Sequence, residues 1–412
     1  MLSINRSIVA ILIILILSMT ATAQQFVKED NSGLRPDAPQ YALRGDHVVG
    51  TQDLIIDDVE MPLEITVWYP ALNPDNVTES IDYPYVVKMG MPDMDATVAG
   101  QAIANAPYNL EDGSYPLVIV SPGFLLGRTN YAWLAEHLTS HGFVVIAPEH
   151  HEQLDETLSD FSKSAILRPQ DITEVLDYVD TQVVDDGLFA GLINTNQVAV
   201  IGHSLGGYTS LAIAGAQLDL AFMANLCADA EQAADPNAWL CGLILPYVSD
   251  MAELAGLDSV PEELWDSMND DRIDVIIPMA GDAYMYGELG LASITIPVMA
   301  IGGTSDTGTP YAWGTQLTFD HVSSSNKILV GLENAEHMVF GSTCEALPFF
   351  TEIGFYEMCS DPVWDMNRAH DLVNHFATAF LLAELKQNTD AVATLAPDAV
   401  TFIGVTYDAQ GY

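Results

Sequence analysis

Ser204 stands in Gly202-His203-Ser204-Leu205-Gly206, a GxSxG pentapeptide followed by a further glycine, Gly207. A serine hydroxyl is a weak nucleophile near neutral pH, so nucleophilic chemistry here needs a base and a carboxylate to orient that base. The flanks favour such chemistry. Residues 197–201 are a short apolar, β-branched run, the pattern of a buried parallel strand. Residues 208–218 are apolar and proline-free and read as a helix. Strand, sharp turn and helix make the setting in which this pentapeptide becomes a nucleophile elbow. The turn strains the serine backbone, and glycines on either side clear the neighbouring strand and helix. The hydroxyl then sits at a helix N-terminus, where partial positive charge favours a developing oxyanion. An ordinary glycine-rich turn would carry the same letters without these flanks.

In such a setting the partners follow in the order serine, acid, histidine, in loops after later strands. The strand at 296–301 runs into Gly302-Gly303-Thr304-Ser305-Asp306-Thr307-Gly308, which places Asp306 as the acid. The strand at 327–330 runs into a loop ending Glu336-His337-Met338, which places His337 as the base. Asp306 could instead be a turn former, and Asp282, after the preceding strand, is the rival acid. Glu333 and Glu336 lie too near the histidine in sequence to orient it easily. His321 and His370 fall outside the expected loop, and His203 reads as packing against the turn. His150-His151 follows a strand end and either lines the pocket or is polar loop. The oxyanion needs two backbone donors. The N–H of Leu205 is one, and the loop Ser121-Pro122-Gly123-Phe124 offers the N–H of Phe124 as the other. The Phe124 ring, Trp313 and Met338 are candidate substrate contacts, with Tyr311 and Phe340 nearby; core packing is the alternative for all of these aromatics.

The elements that must hold these residues alternate. Strands at 117–120, 143–147, 197–201, 274–279, 296–301 and 327–330 interleave with helices at 131–141, 168–184 and 367–385. Two earlier strands, 47–57 and 63–69, read as a hairpin, and the last residues add a short strand. This predicts an α/β architecture: a doubly wound, mostly parallel sheet of about eight strands with helices on both faces. Pro169 is expected to open the 168–184 helix. Residues 70–113, rich in proline and acids, read as a surface excursion with little regular structure, and 219–271 as a helical insertion or cap after the nucleophile helix.

Composition narrows the partners. Of 412 residues, 57 are Asp or Glu and 12 are Lys or Arg, a net charge of −45. Such a surface repels nucleic acid and anionic membranes. Arg6, an apolar run at 8–17 and Ala21-Thr22-Ala23 predict a signal peptide over 1–23, leaving 24–412 as one domain. The run is short against the roughly 20 residues that cross a bilayer, so the expected product is secreted or periplasmic without stable membrane association. Export permits disulfides. Of the three pairings open to four cysteines, Cys227 with Cys241 and Cys344 with Cys359 is the most local. No Cys/His spacing suggests a metal, and the chemistry calls for no cofactor.

Together these residues resemble the α/β-hydrolase superfamily over most of the expected mature chain. More narrowly they look like the branch of platelet-activating-factor acetylhydrolases and predicted dienelactone hydrolases. That likeness rests on Ile65-Thr66-Val67-Trp68-Tyr69-Pro70, Ser121-Pro122-Gly123-Phe124, Arg168-Pro169-Gln170-Asp171-Ile172, Gly202–Gly207 and Glu336-His337. The resemblance implies a triad of Ser204, Asp306 and His337 with Phe124 and Leu205 as oxyanion donors. Two departures stand out. Dienelactone hydrolases use cysteine where Ser204 stands, and Pro122-Gly123 replaces the usual His-Gly of the oxyanion loop. The expectation is a secreted serine carboxylic ester hydrolase acting on short-chain or small acyl esters. Polyester, cutin or lipid esters, peptides, or a non-catalytic binding role on the same fold are the alternatives. Oligomeric state stays open.

Overall fold

The computed structural model describes residues 38–57, 59, 61–88, 95–154 and 158–412; the expected signal segment lies outside them. Twelve strands are present among these residues: β1 (Val48–Ile56), β2 (Leu63–Ala71), β3 (Ile81–Tyr85), β4 (Ala96–Gly100), β5 (Ile103–Ala104), β6 (Tyr115–Ser121), β7 (Val144–Pro148), β8 (Ile193–His203), β9 (Val275–Met279), β10 (Val298–Gly303), β11 (Lys327–Leu332) and β12 (Val405–Gln410). Ten join one sheet in the order β12-β11-β10-β9-β8-β6-β7-β2-β1-β5. The block from β7 to β11 is parallel throughout. β2 and β12 flank it antiparallel. Every residue of β6, β7, β9 and β10 is buried, which is why these strands read as continuous apolar runs.

Alternate side chains feed two cores. Val118 and Val120 point into the one covered by helices Ala132–Ser140 and Met366–Lys386. Leu117 and Ile119 point into the one covered by helices Ser159–Gln182 and Leu205–Ile213. This is the α/β-hydrolase layering, with a sheet of ten strands where about eight were expected.

Two expectations fail for identifiable reasons. Residues 70–113 are not an irregular excursion: β3 and β4 form an antiparallel ladder, and β5 extends the main sheet. β3 alternates, with Tyr83 and Tyr85 buried and Asp82 and Pro84 exposed, but the proline and acids obscured that period. Tyr83 Oη donates to Glu136 Oε1 at 2.7 Å and accepts from Trp68 Nε1 at 2.8 Å, which anchors the ladder to the body. Pro169 does not open its helix either; it lies inside a helix running Ser159–Gln182. An interior proline removes one N–H and orphans the carbonyl four residues earlier, a cost of about 3 kcal/mol. Here that carbonyl, Ala165 O, accepts from Tyr208 Oη of the nucleophile helix at 2.9 Å.

The segment 219–271 is helical as far as Leu254 and irregular beyond it. Helix Leu220–Ala233 starts at Asp219, whose side chain caps Phe222 N–H at 2.8 Å. Further short helices run to Leu254 and pack on helix Ser159–Gln182. Cys227–Cys241 staples this segment, and Cys344–Cys359 closes a loop spanning 15 positions after His337. Loops of that size confer about 3 kcal/mol. Cys344→Ser is therefore expected to lower unfolding stability by roughly that amount in urea titrations. A variant as stable as the parent would show that this loop is ordered without its bond.

Candidate active site

β8 delivers the chain into the elbow and helix Leu205–Ile213 carries it away. Ser204 sits between them at φ 56°, ψ −122°, a region that side chains rarely adopt. The glycines are sterically required. A Cβ on Gly202 would lie 2.0 Å from Gly206 O, and one on Gly206 2.0 Å from Ser121 O. Ser204 N–H donates to Met279 O at 2.9 Å, tying the elbow to the end of β9.

His337 follows β11 and opens a short 3-10 turn. Its Nδ1 lies 2.8 Å from Asp306 Oδ2 and 3.0 Å from Oδ1. Asp306 is buried, and Oδ1 also accepts from Gly308 N–H at 2.8 Å and Thr309 N–H at 2.7 Å. The loop thus holds the carboxylate in its own turn as well as against the histidine. A carboxylate facing Nδ1 fixes the proton there and leaves Nε2 as the basic nitrogen. Burial by itself would lower the imidazole, but the Asp306 charge and hydrogen bond outweigh it and hold the value above the ordinary 6.5.

Asp282, the rival acid, is fully buried one strand away and accepts from Thr309 Oγ1 at 2.7 Å. No hydrogen bond links it to His337, and burial pushes it up to about 6 against that Thr309 bond. Glu336 reaches the acid loop, accepting from Thr307 N–H at 3.2 Å and Thr307 Oγ1 at 3.0 Å. His370 is bound elsewhere, to Gly341 O at 3.0 Å.

His203 joins the two loops. Its ring lies 4.6 Å from that of His337. Nε2–H donates to His337 O at 3.0 Å, so Nδ1 accepts from Tyr131 Oη at 2.6 Å. Tyr131 Oη in turn accepts from Gly123 N–H at 3.3 Å. Burial, with His337 adding to it, keeps His203 well below 6.5 and therefore neutral. A chain of hydrogen bonds runs from the loop after β6, through the residue before Ser204, to the backbone of His337.

The N–H groups of Phe124 and Leu205 donate to no protein acceptor among the described residues. Leu205 is fully buried, and a buried N–H without an acceptor is uncommon enough to call for a reason. The Phe124 ring is half-buried, edge-on to Phe161 at 5.2 Å. Trp313 and Met338 are also half-buried, whereas Phe340 is wholly in the core. Among the described residues no group of three or more His, Cys, Asp or Glu is placed to hold a metal ion.

His150 does not line an open pocket. It is buried, with Nε2 2.9 Å from Ser121 Oγ and Nδ1 2.5 Å from Asp171 Oδ2. Beside it, buried Arg168 pairs with buried Glu152 at 2.5 Å. Sequence reasoning assigned no role to Asp171, Arg168, Glu152 or Tyr131. The one available signal was the dense run of polar residues after β7, which an apolar core has to satisfy.

Comparison with known proteins finds partial likeness to several enzymes named for ester hydrolysis. A family model described as chlorophyllase matches residues 88–255, less than half of the chain. Cutinase est2 of Thermobifida alba is 34% identical over 113 residues, covering 27% of this chain and 34% of that protein. A bis(hydroxyethyl) terephthalate hydrolase of Streptomyces coelicolor is 28% identical over 182 residues, covering 44% of this chain and 51% of that protein. The match thus spans about a third to a half of these relatives. A solved ferulic acid esterase from Streptomyces cinnamoneus shares the fold, with a TM-score of 0.56 over 90% of this chain and 98% of that one, at 18% identity.

Proposed function

We propose that this protein is a serine carboxylic ester hydrolase that works through an acyl-enzyme on Ser204. His337 Nε2 takes the serine proton as the hydroxyl attacks the ester carbonyl. The imidazolium, held by Asp306, returns that proton to the leaving alkoxide, and water then resolves the acyl-enzyme by the same route. The N–H groups of Phe124 and Leu205 receive the oxyanion. The observation that carries this reading is the pair of unclaimed N–H donors beside a serine held at positive φ. The Asp306–His337 hydrogen bond supports it, as does the tilted His203 ring, 4.6 Å from that of His337 and one residue before Ser204.

The acyl preference is proposed on two supports. The short segments that resemble platelet-activating-factor acetylhydrolases favour small acyl groups. The relatives named cutinase and terephthalate hydrolase favour polyesters or aromatic diesters. The half-buried Phe124, Trp313 and Met338 are proposed as apolar substrate contacts for either class. The segment 219–271 is proposed as an insertion that shapes access. Export is proposed from residues 1–23, and the two disulfides suit an oxidising compartment. No helix among the described residues is long and apolar enough to cross a membrane.

A series of p-nitrophenyl esters from acetate to palmitate, run beside a terephthalate diester, tests the reading. Hydrolysis of the short esters or the diester is the expected outcome. Turnover restricted to palmitate would move the assignment to a lipase. Folded protein inert on every ester would leave a peptidase or a binding role.

A further inference from the structure

Arg168 lies in mid-helix with its guanidinium 1% exposed, and the Glu152 carboxylate it meets is equally enclosed. The pairing is bidentate: Nη2 to Oε1 at 2.5 Å and Nε to Oε2 at 2.9 Å. Two further donors reach backbone carbonyls. Nη1 donates to Pro122 O at 2.5 Å and Nη2 to Gly123 O at 3.1 Å. Glu152 completes the grip, since its Oε1 accepts Leu125 N–H at 2.8 Å. Ser164 Oγ donates to the other carboxylate oxygen at 3.1 Å. Leu125 sits at φ 62°, a left-handed conformation that a leucine takes only where its surroundings hold it.

The pair therefore holds the backbone on both sides of Phe124 and leaves the Phe124 N–H untouched. In a trans peptide the carbonyl and the following N–H point in opposite directions. Drawing the Gly123 carbonyl toward the guanidinium turns the Phe124 N–H away from it, and that N–H meets no protein acceptor among the described residues. Burial alone would raise Glu152, but Arg168 and Lys88 bring it down to about 2, so the clamp stays ionised across the working range. A buried ion pair is weak support for stability, because apolar residues of similar volume often serve as well. Its place at this loop points to another role.

We propose that Arg168 and Glu152 are positioning residues for the oxyanion hole: they touch no substrate and set the direction of the Phe124 N–H. This rests on the reading of that N–H as an oxyanion donor. Lysine cannot replace the guanidinium, because one ammonium cannot bridge a carboxylate and two carbonyls in a fixed plane.

The test compares wild type, R168K and the double variant R168M/E152Q on p-nitrophenyl acetate, with thermal unfolding measured in parallel. Wild-type turnover that Ser204→Ala removes must be in hand first; its absence would defeat the parent reading and not this one. Loss of an oxyanion donor costs about 10²–10³ in kcat. The double variant is expected to lose about 10² in kcat with KM within about threefold, and R168K about tenfold, while both unfold cooperatively. The rate of Ser204 phosphonylation should fall in parallel, since that reaction also builds negative oxygen in the hole. Should the double variant fail to fold, R168K alone decides, because it preserves the charge pairing. Wild-type kcat in either folded variant, or a loss confined to KM, overturns the proposal.

Discussion

Replacing Ser204 with alanine is expected to lower kcat on a p-nitrophenyl ester by about 10⁴–10⁶-fold, with any residue of activity coming from the oxyanion donors and substrate binding. The effect is large because nothing near the elbow can replace the lost hydroxyl. Ser121, the other serine near the loop, is fully buried and bound to His150 at 2.9 Å. The substitution should leave the fold intact. Tyr208 N–H still bonds the carbonyl of residue 204 at 3.0 Å, and Met279 O still accepts its N–H at 2.9 Å. Alanine at φ 56° is no more strained than serine there. Unfolding stability within about 1 kcal/mol of the parent, measured alongside the rate, separates lost chemistry from lost structure.

Asp306→Asn is expected to lower kcat by about 10³–10⁴-fold, because an amide facing Nδ1 no longer dictates which nitrogen keeps the proton. The pH profile carries the sign. The base must be neutral, so the rate falls as pH drops through the His337 value, which Asp306 holds above 6.5 against the effect of burial. Removing the carboxylate leaves burial less opposed, and the acid limb should move to lower pH. Asp282→Asn is the control. It also lies in the field of His337, yet bonds Thr309 Oγ1 rather than the imidazole, so its loss should preserve most of the turnover. Turnover surviving Asp306→Asn and lost in Asp282→Asn would reverse the assignment.

The elbow was legible because it is local: strand, turn glycines and helix lie within about twenty consecutive residues. Asp306 and His337 were legible because each follows a β-branched run in a glycine-bearing loop, and the chain order is set by the sheet. What escaped came from packing between distant segments. Pro169 reads as a helix start, which puts Arg168 at an exposed end. The Tyr208 hydroxyl, 39 positions later, satisfies the orphaned Ala165 carbonyl and lets the helix run on from Ser159. Arg168 then lies in mid-helix, facing Glu152 and the loop after β6. His203 was read as packing against the turn, and its two hydrogen bonds give that packing a direction, from Tyr131 to His337. β3 and β4 were missed because Asp82 and Pro84 hide the two-residue period of the buried tyrosines.

The central claim is that Ser204 is the nucleophile of an acyl-transfer site, and covalent trapping addresses it most directly. The protein would be treated with a p-nitrophenyl alkylphosphonate, p-nitrophenolate release followed, and the modified peptide located by mass spectrometry. One equivalent released, one label on Ser204 and activity lost in proportion is the predicted result. A label on another residue, or full ester turnover by protein that carries the label on Ser204, would contradict it.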